Sequence, residues 1–172
     1  MPVPERLVAF WNAFAHATGG VDKARFYEAF AFGDSPELAS ELAGLVLLGA
    51  KRATASAAWT LEAQGQRLPA PGDLSIVTQW SGEPLCVIQT RAVEVRPFDE
   101  VDAAFAAAEG EGDGSLAHWR DGHRRYFTRE CVRAGRAFDE RMPVVCERFE
   151  LVYRPLAQVR SSPDARPNHE NP

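Results

Sequence analysis

The sequence predicts an α+β domain, and three observations carry that reading. The first third has the apolar spacing of helices, the middle and end hold apolar runs bounded by glycine and proline turns, and a long arginine-rich amphipathic segment separates those runs. Helices first, then strands interrupted by helices, imply a curved and mostly antiparallel sheet. At 172 residues, 45% apolar and 25% charged, the chain is long enough for one well-buried core and short for two.

Residues 4–17 place Leu7, Phe10, Trp11 and Phe14 at helical spacing, and Thr18-Gly19-Gly20 stops the helix. A second helix is expected near 22–31, carrying Phe26, Tyr27 and Phe30. Asp34-Ser35-Pro36-Glu37 supplies a cap, an early proline and a first-turn acid, which predicts a third helix over 36–48 closed by Gly49. Pro69-Ala70-Pro71-Gly72-Asp73 is turn chemistry, followed by strands over 74–80 and 85–95 joined as a hairpin across Ser81-Gly82-Glu83-Pro84. A short helix over 98–108 leads to a flexible acidic loop, Glu109 to Gly114. Ser115 then caps a long helix with Leu116, Trp119, His123, Tyr126 or Phe127, and Val132 near one stripe, ended by Gly135. Val145, Phe149, Leu151 and Tyr153 share one face of a strand over 143–153, and 155–172 is expected to be a disordered tail.

A formal net charge of −5 argues against holding nucleic acid by bulk electrostatics, which needs clustered lysine and arginine. Cys86, Cys131 and Cys146 lack CxxC or zinc spacing and read as buried apolar side chains, so no metal or cofactor is expected. No apolar run of about 18 residues is present, and Met1-Pro2-Val3-Pro4-Glu5-Arg6 is not a signal-peptide start. A cytoplasmic protein without a membrane partner is expected; the oligomeric state is open.

The richest chemistry lies in Leu48-Gly49-Ala50-Lys51-Arg52-Ala53-Thr54-Ala55-Ser56. A helix-ending glycine, a lysine and a hydroxyl three positions on are the parts of an activated nucleophile or a phosphate clamp. The plainer reading is a lysine facing a helix C-terminus and hydroxyls opening a strand. In a strand, Thr54 and Ser56 share a face.

This stretch, with the Pro71-Gly72-Asp73 turn, Glu109-Gly110-Glu111-Gly112-Asp113 and Ser115-Leu116-Ala117-His118-Trp119-Arg120-Asp121-Gly122-His123, resembles the ASCH domain family, in its longer bacterial branch with extra N-terminal helices. The resemblance spans about 30–153 inside a single domain over 1–154. It implies a small PUA-like β-barrel of mostly antiparallel strands with flanking helices and a cleft near the lysine-threonine motif. It also implies nucleotide or RNA ligands: members are described as RNA-binding domains, as amidohydrolases of N4-acylated cytidine, or as ribonucleases. Lys51 and Thr54 match the family's lysine-x-x-threonine pattern, and the resemblance places an acid in the Glu109 to Asp113 loop: Glu111 is the choice, with Glu109 and Asp113 open.

The amidohydrolase form of this resemblance gives three catalytic candidates. A neutral Lys51 accepts the Thr54 proton, Thr54 attacks an amide carbonyl, and Glu111 protonates the leaving amine. Arg52, Ser56, Trp59, Glu109, Asp113 and Arg124 are the substrate-binding candidates. Shorter amidohydrolase members follow the motif with arginine, whereas Ala55-Ser56 follows here, which leaves the substrate open. Trp80 and Trp119 are expected in the core, His123 as a hydrogen-bonded structural residue, and His118 in solvent. The arginines from Arg120 to Arg136 either track an RNA backbone or balance acids on a wet helix face. The leading expectation is a metal-independent hydrolase of N-acylated pyrimidine nucleosides, or a ribonuclease, acting on a small nucleoside, a nucleotide or single-stranded RNA. The alternative is a non-catalytic RNA-binding module.

Overall fold

The N-terminal helix α1 (Val8–Ala17) buries Trp11 and Phe14, with Leu7 just ahead of it, against Phe26, Leu74, Ile76 and Val87. This is the apolar stripe expected from the 3.6-residue period. The structure is a computed structural model that describes residues 2–155; the tail expected over 155–172 lies outside them apart from Pro155.

The expected second helix is instead a strand. Asp22 caps a single 3₁₀ turn by accepting from the Ala24 amide at 2.9 Å, and β1 (Phe26–Phe30) follows. Phe26, Tyr27 and Phe30 fit a helical stripe, but aromatic side chains suit a pleated surface and parallel pairing with the next strand of the sheet decides the outcome. Helix α2 (Pro36–Leu47) starts as predicted, with the Ser35 hydroxyl accepting from the Leu38 amide, and Gly49 ends it in the left-handed conformation at φ 76°.

The Thr54–Ser56 stretch forms β2 (Ala53–Ala57), and a short helix α3 (Ala58–Ala63) continues from it. The hairpin consists of β3 (Leu74–Thr78) and β4 (Pro84–Pro97). Trp80 sits in its turn, where the Gln79 amide donates to Glu83 O, and is 52% exposed rather than in the core. Helix α4 (Ala103–Glu109) and helix α5 (Leu116–Arg133) follow, and β5 (Pro143–Tyr153) closes the sequence of elements. Along α5 the buried positions are Trp119, His123, Phe127 and Cys131. Val132, one residue or about 100° further round, is 69% exposed and leaves the expected stripe.

The five strands run in the order β1-β3-β4-β5-β2, with β1 parallel to β3 and the other pairs antiparallel. Alternate residues separate the layers. Leu74, Ile76 and Val87 meet α1, whereas Val77, Cys86, Ile88 and Phe149 meet Leu42, Ala43 and Val46 of α2. Val144 and Cys146 point the other way, into a third cluster with Phe105, Trp119 and Phe127. The three cysteines are buried and unpaired, and burial pushes the Cys86 and Cys146 thiols up to about 12, which makes them inert packing groups. The two free edges, β1 and β2, line the same hollow. The sheet is therefore curled into an incomplete barrel, the PUA-like arrangement without a closing ladder.

One glycine sets how α4 meets the lysine segment. Gly110 caps α4 at φ 65°, and a Cβ there would lie 2.4 Å from the Ala50 carbonyl oxygen. The Arg52 amide donates to Ala108 O at 2.7 Å in the same contact. Gly110→Ala meets a left-handed penalty of about 1–2 kcal/mol plus a clash with rigid backbone. Urea unfolding is expected to show a loss above about 2 kcal/mol; a loss under about 0.5 kcal/mol refutes the close approach.

Candidate active site

Between the sheet edges, α2 and α5 lies a cleft of about 440 Å³, within the roughly 300–1,000 Å³ common for small-molecule sites. Gly49 turns the chain out of α2, so Lys51 points inward, four residues beyond the last helical residue rather than along the helix end. Its Nζ donates to Glu109 Oε2 at 2.5 Å and Glu111 Oε1 at 2.6 Å, and sits 5.4 Å from the centre of the Phe32 ring. Lys51 and Glu109 are only 2% and 1% exposed.

Glu109 is expected in a flexible loop but is the last residue of α4, held on three sides. Besides Lys51, the Trp119 indole N–H donates to Oε1 at 3.0 Å, and His123 Nε2 lies 3.3 Å from the same oxygen. The other ring nitrogen of His123 is 3.0 Å from the Trp119 carbonyl, and its ring stacks on Trp119 at 4.1 Å between centroids. Burial favours the neutral forms of both members of the central pair. The opposed charges outweigh it: Lys51, then His123, hold the Glu109 carboxyl well below its ordinary range, while Glu109, then Glu111, hold the Lys51 amine above its own. The neutral lysine expected from the resemblance is therefore corrected to an ammonium. Glu109, Glu111 and His123 present ligand-type atoms within 4.8 Å of one another, and the cation bound by the two carboxylates is this amine.

Thr54 and Ser56 both line the cleft, as strand alternation requires, while Ala53 and Ala57 pack into the core behind them. The other candidates separate. Arg52 is exposed and away from the cleft lining, its backbone tying α4 to β5 through Ala108 O and the Phe149 amide. Trp59 packs on the opposite side under the Arg136 guanidinium at 5.1 Å. Asp113 accepts from the Ser115 amide, and Arg124 pairs with Glu140. These four are corrected as binding candidates, because none of them lines the hollow.

The α5 arginines are likewise engaged with protein groups. Arg120 donates to Asp99 O, Arg125 pairs with Asp121, and Arg129 and Arg133 share Asp34. These pairs fit the acid-balancing alternative. His118, expected in solvent, is exposed yet packs against Gly112 at the cleft rim. His123 is hydrogen-bonded as expected and also forms part of the wall.

Sequence reasoning missed Glu28 and Glu147. Glu147 projects into the cleft from β5 on the parity of Val145 and Phe149, and this charge in the middle of an apolar face was the available signal. Burial, aided by Glu28 and Asp73 and opposed by the Thr90 hydroxyl, pushes its carboxyl up to about 7. Burial also raises Glu28, against a bond from Gln66 Nε2 at 3.1 Å.

The cleft and fold together define an α+β domain whose ligand hollow lies between open sheet edges. Residues 28–153 match the family model described as ASCH domain, and the chain belongs to that family. It is similar to the crystal structure of an ASCH domain from Lactobacillus crispatus, at 35% identity and TM-score 0.78, over 88% of this chain and 97% of that one. It is also similar to a protein from Enterococcus faecalis, at 31% identity and TM-score 0.76, over 85% of this chain and 87% of that one. No curated protein matches the chain. Among the described residues no helix is long and apolar enough to cross a membrane.

Removing one partner of a buried ion pair leaves an uncompensated charge, so Lys51→Met is expected to cost about 3–5 kcal/mol by urea unfolding. Adding Glu109→Gln to it should recover part of that loss; a double variant weaker than the single one refutes the pairing. Burial pushes the Glu147 carboxyl up to about 7, above the ordinary carboxylate range, so its contribution is fully present at low pH and is lost as pH rises through 7. Glu147→Gln should therefore gain on the order of 3 kcal/mol relative to wild type between acid pH and about pH 8. Parallel pH profiles for the two proteins refute this.

Proposed function

We propose that the cleft hydrolyses an amide on a small, uncharged nucleoside-like substrate, most concretely an N-acylated pyrimidine nucleoside. Thr54 supplies the attacking hydroxyl, and the Lys51 ammonium, held by Glu109 and Glu111, faces the oxygen on which negative charge develops. The observation that carries the reading is the buried Lys51–Glu109–Glu111 cluster lining one small hollow with Thr54 and Ser56.

Charge selects among substrate classes. The lining holds Glu28, Glu41, Glu109, Glu111 and Glu147, while its lysine and arginine, Lys51 and Arg129, are both paired to acids. Phosphates meet net repulsion there, which disfavours long RNA. A neutral base with ring faces and N–H donors meets Phe30, Phe32 and Tyr126 on the walls and carboxylate acceptors. Proton transfer from the nucleophile cannot go to Lys51, because the two carboxylates keep that amine charged.

The purified protein is expected to release cytidine and acetate from N4-acetylcytidine, and to continue doing so in EDTA. Thr54→Ala, which removes a hydroxyl from a partly exposed position, should lower kcat by at least about 10²-fold while leaving the unfolding midpoint near wild type. Absence of acyl release, together with salt-sensitive retardation of single-stranded RNA, overturns the hydrolase in favour of a binding module. Cleavage of RNA that depends on Lys51 overturns the amide substrate in favour of a ribonuclease.

A further inference from the structure

In the cleft that also holds the Lys51 cluster, the pairing of β2 with β5 sets Thr54 directly across from Glu147. Cross-strand partners project from the same face of a sheet with Cβ atoms about 5 Å apart, and both residues line the cleft. The carboxylate is held at one end only. Its Oε1 accepts from Thr90 Oγ1 at 2.6 Å, whereas among the described residues Oε2 receives no protein donor and Glu147 has no cationic partner. Thr90 reaches it from β4 beside an irregularity between Thr90 and Ala92, the kind of bulge that re-aims a side chain next to a site.

We infer that Glu147 is the general base that takes the Thr54 proton in the amide hydrolysis proposed above, an inference that rests on that reading. Of the other carboxyl and imidazole groups in the lining, Glu41 and His118 are exposed and no strand pairing sets them across from Thr54, and the rest have partners of their own. Glu109 and Glu111 are bound to the Lys51 ammonium, His123 presents one nitrogen to the Trp119 carbonyl and the other to Glu109, and Glu28, on β1 rather than on a strand paired with β2, accepts from Gln66.

The step balances as follows. As Thr54 Oγ bonds to the acyl carbon, its proton passes to Glu147 Oε2 and the carbonyl electron pair moves onto the oxygen facing Lys51. Collapse breaks the C–N bond, and the proton on Glu147 goes to the departing amine. Water then attacks the Thr54 ester, giving a proton to Glu147. The C–Oγ bond breaks, the carboxylic acid leaves, and Thr54 regains its proton from Glu147.

A carboxyl that titrates near neutrality moves a proton in either direction with little driving force, which suits a group that must both accept and return one. The titratable and charged neighbours facing it are Glu28 and Tyr27 of β1 and Asp73 ahead of β3, with Arg67 taken up by Asp73. The stability that Glu147 is expected to cost as pH rises fits a side chain retained at the expense of stability.

The test follows N4-acetylcytidine turnover from about pH 5 to 9 in wild type, Glu147→Gln and Thr90→Val. Wild-type kcat/KM should rise through a limb near pH 7. Glu147→Gln, nearly isosteric and able to keep the Thr90 bond, should lower kcat by about 10²–10⁴-fold with KM within about threefold, and should lose the limb. Thr90→Val removes a donor that favours the ionised form, so the limb should move to higher pH. Glu147→Gln with near-wild-type kcat and an intact limb overturns the role of Glu147 and leaves the hydrolase reading standing. If Glu147→Gln fails to fold, an unmoved limb in Thr90→Val overturns it in the same way. A wild type without turnover overturns both.

Discussion

The contact between Lys51 and Glu109 is the constraint on which the cleft depends. Two oppositely charged groups, each almost fully removed from water, are stable only if each satisfies the other and the remaining lone pairs find donors. Glu109 meets that condition through Lys51, Trp119 and His123, and Lys51 through Glu109 and Glu111. Satisfying the pair brings together the turn after α2, the end of α4 and the first half of α5. It also fixes the Lys51 ammonium, between its two carboxylates, in the lining of the hollow.

The sheet supplies the other half of the arrangement. Because the ladder does not close between β1 and β2, the curled edges leave a gap that side chains line instead of hydrogen bonds. Its lining carries the Lys51 ammonium with its carboxylates, and also Thr54, Glu147 and Glu28.

Several elements were legible because they rest on local rules. The Ser35 cap with Pro36, the Ser115 cap, the Gly49 stop and the alternation of β5 reappear in the structure where the residues place them. The lysine-threonine stretch and the Glu109–Glu111 loop stood out as chemistry-bearing from the same reading. Illegible features depended on distant partners. Phe26–Phe30 satisfies a helical stripe and becomes a strand because β3 pairs with it. Trp80 is apolar enough for a core but falls in a turn, and Arg52, Trp59, Asp113 and Arg124 lie near the motif or loop in sequence, or on the same helix, yet face elsewhere.

By itself the amino-acid sequence determined the α+β class, most helix boundaries, the hairpin and the family, since caps, turns and apolar periods act over a few residues. Only the tertiary structure decided the charge state of Lys51, because that depends on carboxylates 58 and 60 positions away. It alone set Glu147 beside Thr54, because strand register across a curled sheet is a long-range property that no local pattern encodes.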